Sequence, residues 1–164
     1  MLGSSDYGAQ LGAHLGLPYA FAWFFTEGRG AEPILAMYRN TFKPSDRHAK
    51  PHSTICVWAL AADTEEEAWH HFKSRAHWRL GFERGLREPL LSPETVDGVT
   101  HTAAEKQRMN QIAETSFVGT AGQVATKLRA LYELLNLDEL VVVTWTHDPD
   151  VRKRSYELLI KELF

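Results

Sequence analysis

Gly3-Ser4-Ser5-Asp6, followed by Gly8, has the residue types and spacing to hold an anion. Serine and aspartate favour the position just before a helix, where their side-chain oxygens accept the unpaired amide hydrogens of the first turn. Those amides, with the positive end of the helix dipole, also attract a phosphate. Gly3 and Gly8 carry no side chain to keep such a group off the backbone. Two roles are therefore open for Ser4, Ser5 and Asp6: capping a helix, or offering its amides to a phosphate. The run is no Walker loop and lacks the GxGxxG spacing, so no ligand is named by motif.

Other residues have chemistry-bearing types but weaker spacing. Trp23 and Phe25 close an apolar aromatic run, and at the end of a strand they would line a pocket and exclude water. His147 directly follows a strand-like run, where parallel barrels place functional side chains, and a plain turn residue is the alternative. His70 and His77 share a helix face, but single-helix zinc sites favour ligands four apart and HExxH is absent, so no metal is expected. The single Cys56 lies in an apolar strand-like run and reads as an inert thiol. No catalytic residue is assigned by sequence.

These residues must be positioned by alternating elements. Only Met1 and Leu2 precede the first turn, so the sequence is expected to open inside a strand, followed by a helix closed at Gly16. Residues 17–25 are apolar on both faces, as in strands covered by helices on each side. Ile34, Leu35, Tyr38 and Phe42 mark one face of a helix over 31–42. A strand is predicted over 53–62 and a helix capped at Asp63-Thr64 running to about Trp78. Residues 80–102, punctuated by Gly and Pro, are predicted to be an irregular excursion able to act as a lid. A short helix over 103–114 follows, then a helix whose Thr120 and Gln123 have capping-box spacing. A strand over 138–145 and a helix started by Asp148-Pro149 complete the chain.

This order predicts an α/β fold with about four parallel strands alternating with helices, a single domain over 1–164. A complete (β/α)8 barrel takes roughly 250 residues, so at 164 residues the expectation is an incomplete barrel. A net charge of −3 and an ordinary charged fraction argue against a nucleic-acid or membrane partner. One cysteine and no visible secretion signal point to a cytoplasmic protein.

Several stretches together resemble the bacterial-luciferase-like flavin monooxygenases: LGSSDYGAQLGAHLGLPYAFA at 2–22, MYRNTFKPS at 37–45 and ALAADTEEEA at 59–68. SFVGTAGQV at 116–124 and DELVVVTWTHDPDVRKRSYELL at 138–159 continue the resemblance in the family's order. It implies the C-terminal half of a TIM-type barrel and a flavin cofactor, FMN or in some relatives F420. The implied reaction uses O2 and the reduced flavin to oxygenate a small organic substrate. By the same resemblance, Gly3, Ser4, Ser5 and Gly8 meet the flavin phosphate, Ser5 through its hydroxyl and Ser4 through its amide. Gly8 stands where some relatives have a phosphate-contacting Thr, and Trp23-Phe24-Phe25 where many have a His. Trp23, Phe25 and His147 are the expected substrate-pocket residues. Because the resemblance covers the C-terminal half only, the chain is expected to be truncated, to pair with a complementing half-barrel chain, or to form a homo-oligomer. The alternative expectation is a non-catalytic half-barrel that oligomerises without flavin.

Overall fold

A computed structural model describes all 164 residues. The chain forms two compact units, Met1–Trp58 with Arg129–Val143, and Ala59–Leu128 with Thr144–Phe164. No helix is long and apolar enough to cross a membrane.

The first unit is a parallel sheet carrying helices. Strand β1 (Leu2–Gly3) pairs with β2 (Tyr19–Phe21), β2 with the start of β3 (Ser53–Ala62), and β3 with β5 (Glu139–Val143). Helix α1 (Asp6–His14) crosses from β1 to β2 and packs on α3 (Ala31–Thr41). Parallel neighbours need such crossovers. Ala9, Ala13, Phe21, Leu35 and Ile55 are buried here. So is Tyr38, whose hydroxyl donates to Leu17 O at 2.9 Å and accepts from His52 N at 3.2 Å. At the start of β3 the Asp138 carboxylate accepts from Ser53 N (2.7 Å) and Ser53 Oγ (3.0 Å). Gly16 ends the α1 connection at φ 62°, where an added Cβ would overlap Lys43 O and Ser45.

The expected strand over 17–25 is corrected: it ends at Phe21, and Trp23–Thr26 forms the short helix α2. Glu27 adopts a left-handed conformation and its N–H donates to Trp23 O, closing that turn. Short apolar runs do not separate strand from helix by periodicity, which is why Trp23 to Phe25 read as strand. The strand expected over 138–145 is likewise shorter: its pairing with Thr54–Trp58 runs only from Glu139 to Val143.

In the second unit, residues 59–62 of β3 pair in parallel with β4 (Phe117–Thr120), a strand too short for its own pattern to announce. The opposite edge of β3 is bonded by side chains: Thr144 Oγ1 donates to Ala59 O (2.8 Å) and Ser155 Oγ accepts from Ala61 N (2.9 Å). Ser155 belongs to α8 (Pro149–Leu163), which Asp148 caps by accepting from Asp150 N. Helix α4 (Glu65–Glu83) begins at Thr64, whose hydroxyl accepts from Glu67 N. It continues past Trp78, and Arg79 pairs with Glu83 across its last turn. Residues 80–102 are therefore not wholly irregular: they include the last turn of α4 and a short helix α5 (Pro93–Asp97) capped by Ser92. Thr102 and Glu105 form a capping box on α6 (Ala103–Glu114). Thr120 and Gln123 form another ahead of α7 (Ala121–Leu134), with Thr120 N donating to Gln123 Oε1 at 2.8 Å.

Candidate functional site

The turn after β1 is built by its neighbours. Gly3 pairs with Phe21, and Ala22 N donates to Gly3 O at 2.9 Å, so Ser4 and Ala22 leave adjacent parallel strands at the same end. Ligands of open parallel sheets bind outside the carboxyl ends of the strands. Ser5 takes the extended conformation of a helix N-cap (φ −121°, ψ 159°), yet its side chain makes no capping hydrogen bond. Ser4 and Ser5 are exposed. Of the two roles open from sequence, Ser5 does not cap α1, and its hydroxyl remains available to a ligand. Asp6 instead turns its carboxylate back, Oδ1 accepting from Tyr7 N at 2.8 Å.

Beneath the turn lies Tyr19, which sequence reasoning missed as a member of the site. It is fully buried, and its hydroxyl donates to Ser5 O at 3.3 Å. A Cβ added at Gly3 or Gly8 would stand 3.8 Å from the Tyr19 side chain, so that ring is the floor under both glycines. Burial pushes the phenol up to about 12, which keeps it a donor at neutral pH. The sequence signal that could have found it is slight: an aromatic residue opening a buried strand, in the run Leu17-Pro18-Tyr19 directly after Gly16.

The other expected residues stand elsewhere. Trp23 is half-buried on α2, with its ring against Gly28, where an added Cβ would overlap it. Phe25 is 47% exposed and its ring meets Phe24 at 4.4 Å. Both follow β2, on the connection neighbouring the Gly3–Ser5 turn, and belong to the first unit. His147 is exposed and belongs to the second unit, four residues beyond the end of β5 rather than directly after a strand. Cys56 is half-buried in β3, and burial pushes its thiol up, away from the reactive thiolate. No group of three or more His, Cys, Asp or Glu side chains is arranged to hold a metal ion. His70 lies by Glu94 and His77 by His101.

The residues present fit a phosphate-bearing cofactor. The turn offers an uncommitted hydroxyl at Ser5 and helix N-terminal amides, with no side chain at Gly3 or Gly8. Asp6 opposes it by occupying the Tyr7 amide and adding a negative charge.

No protein-family model matches the chain. The luciferase-like monooxygenase of Escherichia coli (strain K12) is 34% identical over 158 residues, which are 96% of this chain and 47% of that protein. The crystal structure of apo-MsnO8 superposes with a TM-score of 0.85 at 26% identity, covering 99% of this chain and 49% of that one. The oxygenating constituent of 3,6-diketocamphane monooxygenase from Pseudomonas putida, solved in complex with FMN, shares the fold at a TM-score of 0.61 and 16% identity, covering 99% of this chain and 46% of that one. The chain thus spans about half the length of the curated relatives it matches. It is a half-length homologue of the luciferase-like monooxygenases, matching the C-terminal half of their TIM-type barrel.

Proposed function

We propose that this chain is the flavin-phosphate-binding half of a flavin-dependent monooxygenase. The observation that carries the reading is the Ser5 hydroxyl, exposed at the start of α1 and unused as a cap. FMN is the cofactor proposed, with F420 the variant some relatives of this kind use. Ser5 would donate its hydroxyl and Ser4 its amide to the phosphate, with Gly3 and Gly8 leaving room. Bound reduced flavin supplies the activation of O2 for oxygenating a small organic substrate. Trp23 and Phe25, which follow β2 beside the Gly3–Ser5 turn, would shield one side of the substrate from water.

The sheet of the first unit leaves β1 and β5 each paired on one side only. Open edges favour association, so the working form we propose is an oligomer or a complex with a complementing half-barrel.

Riboflavin lacks the phosphate, which makes it the control ligand. Ser5→Ala should weaken FMN by about 1.5–3 kcal/mol, the range for a hydrogen bond to a charged group, and leave riboflavin nearly unchanged. Equal losses for both flavins, measured by fluorescence titration, would overturn the assignment.

A second reading is favoured by the contact between Asp6 and Tyr7, which already satisfies one amide of the helix start. On that reading the chain is a non-catalytic half-barrel. A purified protein that stays colourless after incubation with FMN and gel filtration selects it.

A further inference from the structure

Helix α4 presents His70, Lys73 and His77 at helical spacing, and each meets a residue 24 positions later. His70 Nε2 lies 3.2 Å from Glu94 Oε1, and Lys73 Nζ lies 2.7 Å from Asp97 Oδ1. His77 Nδ1 lies 3.0 Å from His101 Nε2, with the rings edge to face. The constant offset means that the segment from Glu94 to His101 lies along α4 in one register. All of these residues belong to the second unit.

The third contact differs in kind from the first two. Two imidazole nitrogens at 3.0 Å need one N–H and one lone pair. That is possible when both rings are neutral or when one is charged. When both are charged, two N–H groups face each other and repel. His77 is faced by His101 from the segment before α6, by Glu88 from the loop after α4 and by Glu105 from α6. Glu105 is already committed, accepting from the Thr102 amide and hydroxyl and pairing with Arg84. Burial, then His101, hold His77 below its ordinary 6.5 despite those two carboxylates.

We propose that the His77–His101 pair is a proton-sensitive clasp that fixes residues 98–102 on α4 and releases them on acidification. Docked His77 takes up a proton less readily than undocked His77. The docked state is therefore fully stable above 6.5 and loses stability as pH falls through 6.5 and below. The other end of the segment is held differently, by His70 beside Glu94 and Lys73 on Asp97. Those contacts set a carboxylate, not a second imidazole, against each side chain, with His70 half-buried and Glu94 exposed. Acid should loosen the His101 end and leave the Glu94 end in place.

Hydrogen exchange on the full chain at pH 7.5 and 5.5, corrected for intrinsic rates, tests the clasp. Protection at Val99 and Thr102 should fall roughly three- to tenfold at the lower pH, while β3 and β4 keep theirs. In His101→Gln the amide can donate to or accept from His77 in either charge state, so this acid loss should shrink to the part that burial of His77 causes. Unchanged protection in the wild type, the same acid loss in His101→Gln, or an equal loss across β3 and β4 would overturn the proposal. If His101→Gln does not fold, the wild-type imidazole 15N shifts decide: His77 must titrate together with the Val99 and Thr102 amides, and independent titration rejects the clasp.

Discussion

The Tyr19 hydroxyl reaches up from a fully buried ring and donates to Ser5 O across 3.3 Å, tying the first turn to the core of the sheet. The turn's conformation is thus set by a residue 14 positions away in sequence as well as by its own serines. Tyr19→Phe keeps the ring under Gly3 and Gly8 and removes only the donor. Urea denaturation should show a loss of about 0.5–1.5 kcal/mol, the usual net worth of one hydrogen bond. FMN affinity should fall further than riboflavin affinity, because the phosphate turn is what the hydroxyl holds. Unaltered stability would mean that the hydroxyl contributes nothing to the fold.

Asp6 and a phosphate compete for the same helix start. Asp6→Asn removes the negative charge while keeping an oxygen able to accept from Tyr7 N. A charge near a helix terminus is worth about 0.3–1 kcal/mol, so FMN should bind roughly two- to fivefold more tightly and riboflavin about the same. Tighter binding of both flavins would place the effect outside the phosphate.

Much of this arrangement is legible in the sequence, for physical reasons that can be named. The β3 strand at 53–62 and the α6 helix at 103–114 have the bounds their sequences predict, since β-branched enrichment and capping residues are local signals. Asp148 and Pro149 mark the start of α8 for the same reason. What is not legible depends on distant partners. β4 is only four residues long and is a strand because β3 pairs with it. The α2 turn hides in an apolar run whose strand and helix patterns coincide. Tyr19 joins the Ser5 turn, and His77 joins His101, through contacts that no local spacing announces.

Glu83 gives the fold a defined acid response. Its carboxylate accepts from Arg79 Nε at 2.8 Å and Arg108 Nε at 3.0 Å. Hydrogen bonding to Arg108, then to Arg79, holds its pKa down to about 2, against burial that opposes the charge. A lowered carboxylate stabilises the fold above its ordinary 4.5, and that contribution is lost as pH falls from 4.5 toward 2. The loss should be roughly 1–3 kcal/mol for a group that is partly exposed. Glu83→Gln should be less stable at neutral pH and flatter across this window. Parallel pH profiles for the two proteins in chemical denaturation would contradict the linkage.

The open edges of the first unit's sheet lead to the last expectation. β1 is bonded only to β2, and β5 only to β3, so each leaves one row of backbone groups without a strand partner. β1 is two residues long and offers little, whereas β5 runs for five residues from Glu139 to Val143. Its centre is apolar, with Val141 38% exposed, and no proline interrupts it. Natural edge strands are commonly protected by charge, proline or a bulge, and β5 carries a charge only at its first residue. Sedimentation at micromolar concentration should therefore show reversible association. Val141→Lys puts a charge in the middle of the edge and should shift the equilibrium toward monomer without unfolding the chain. A wild-type protein that sediments as a single monomeric species across the concentration range would show that the β5 edge is not an association surface.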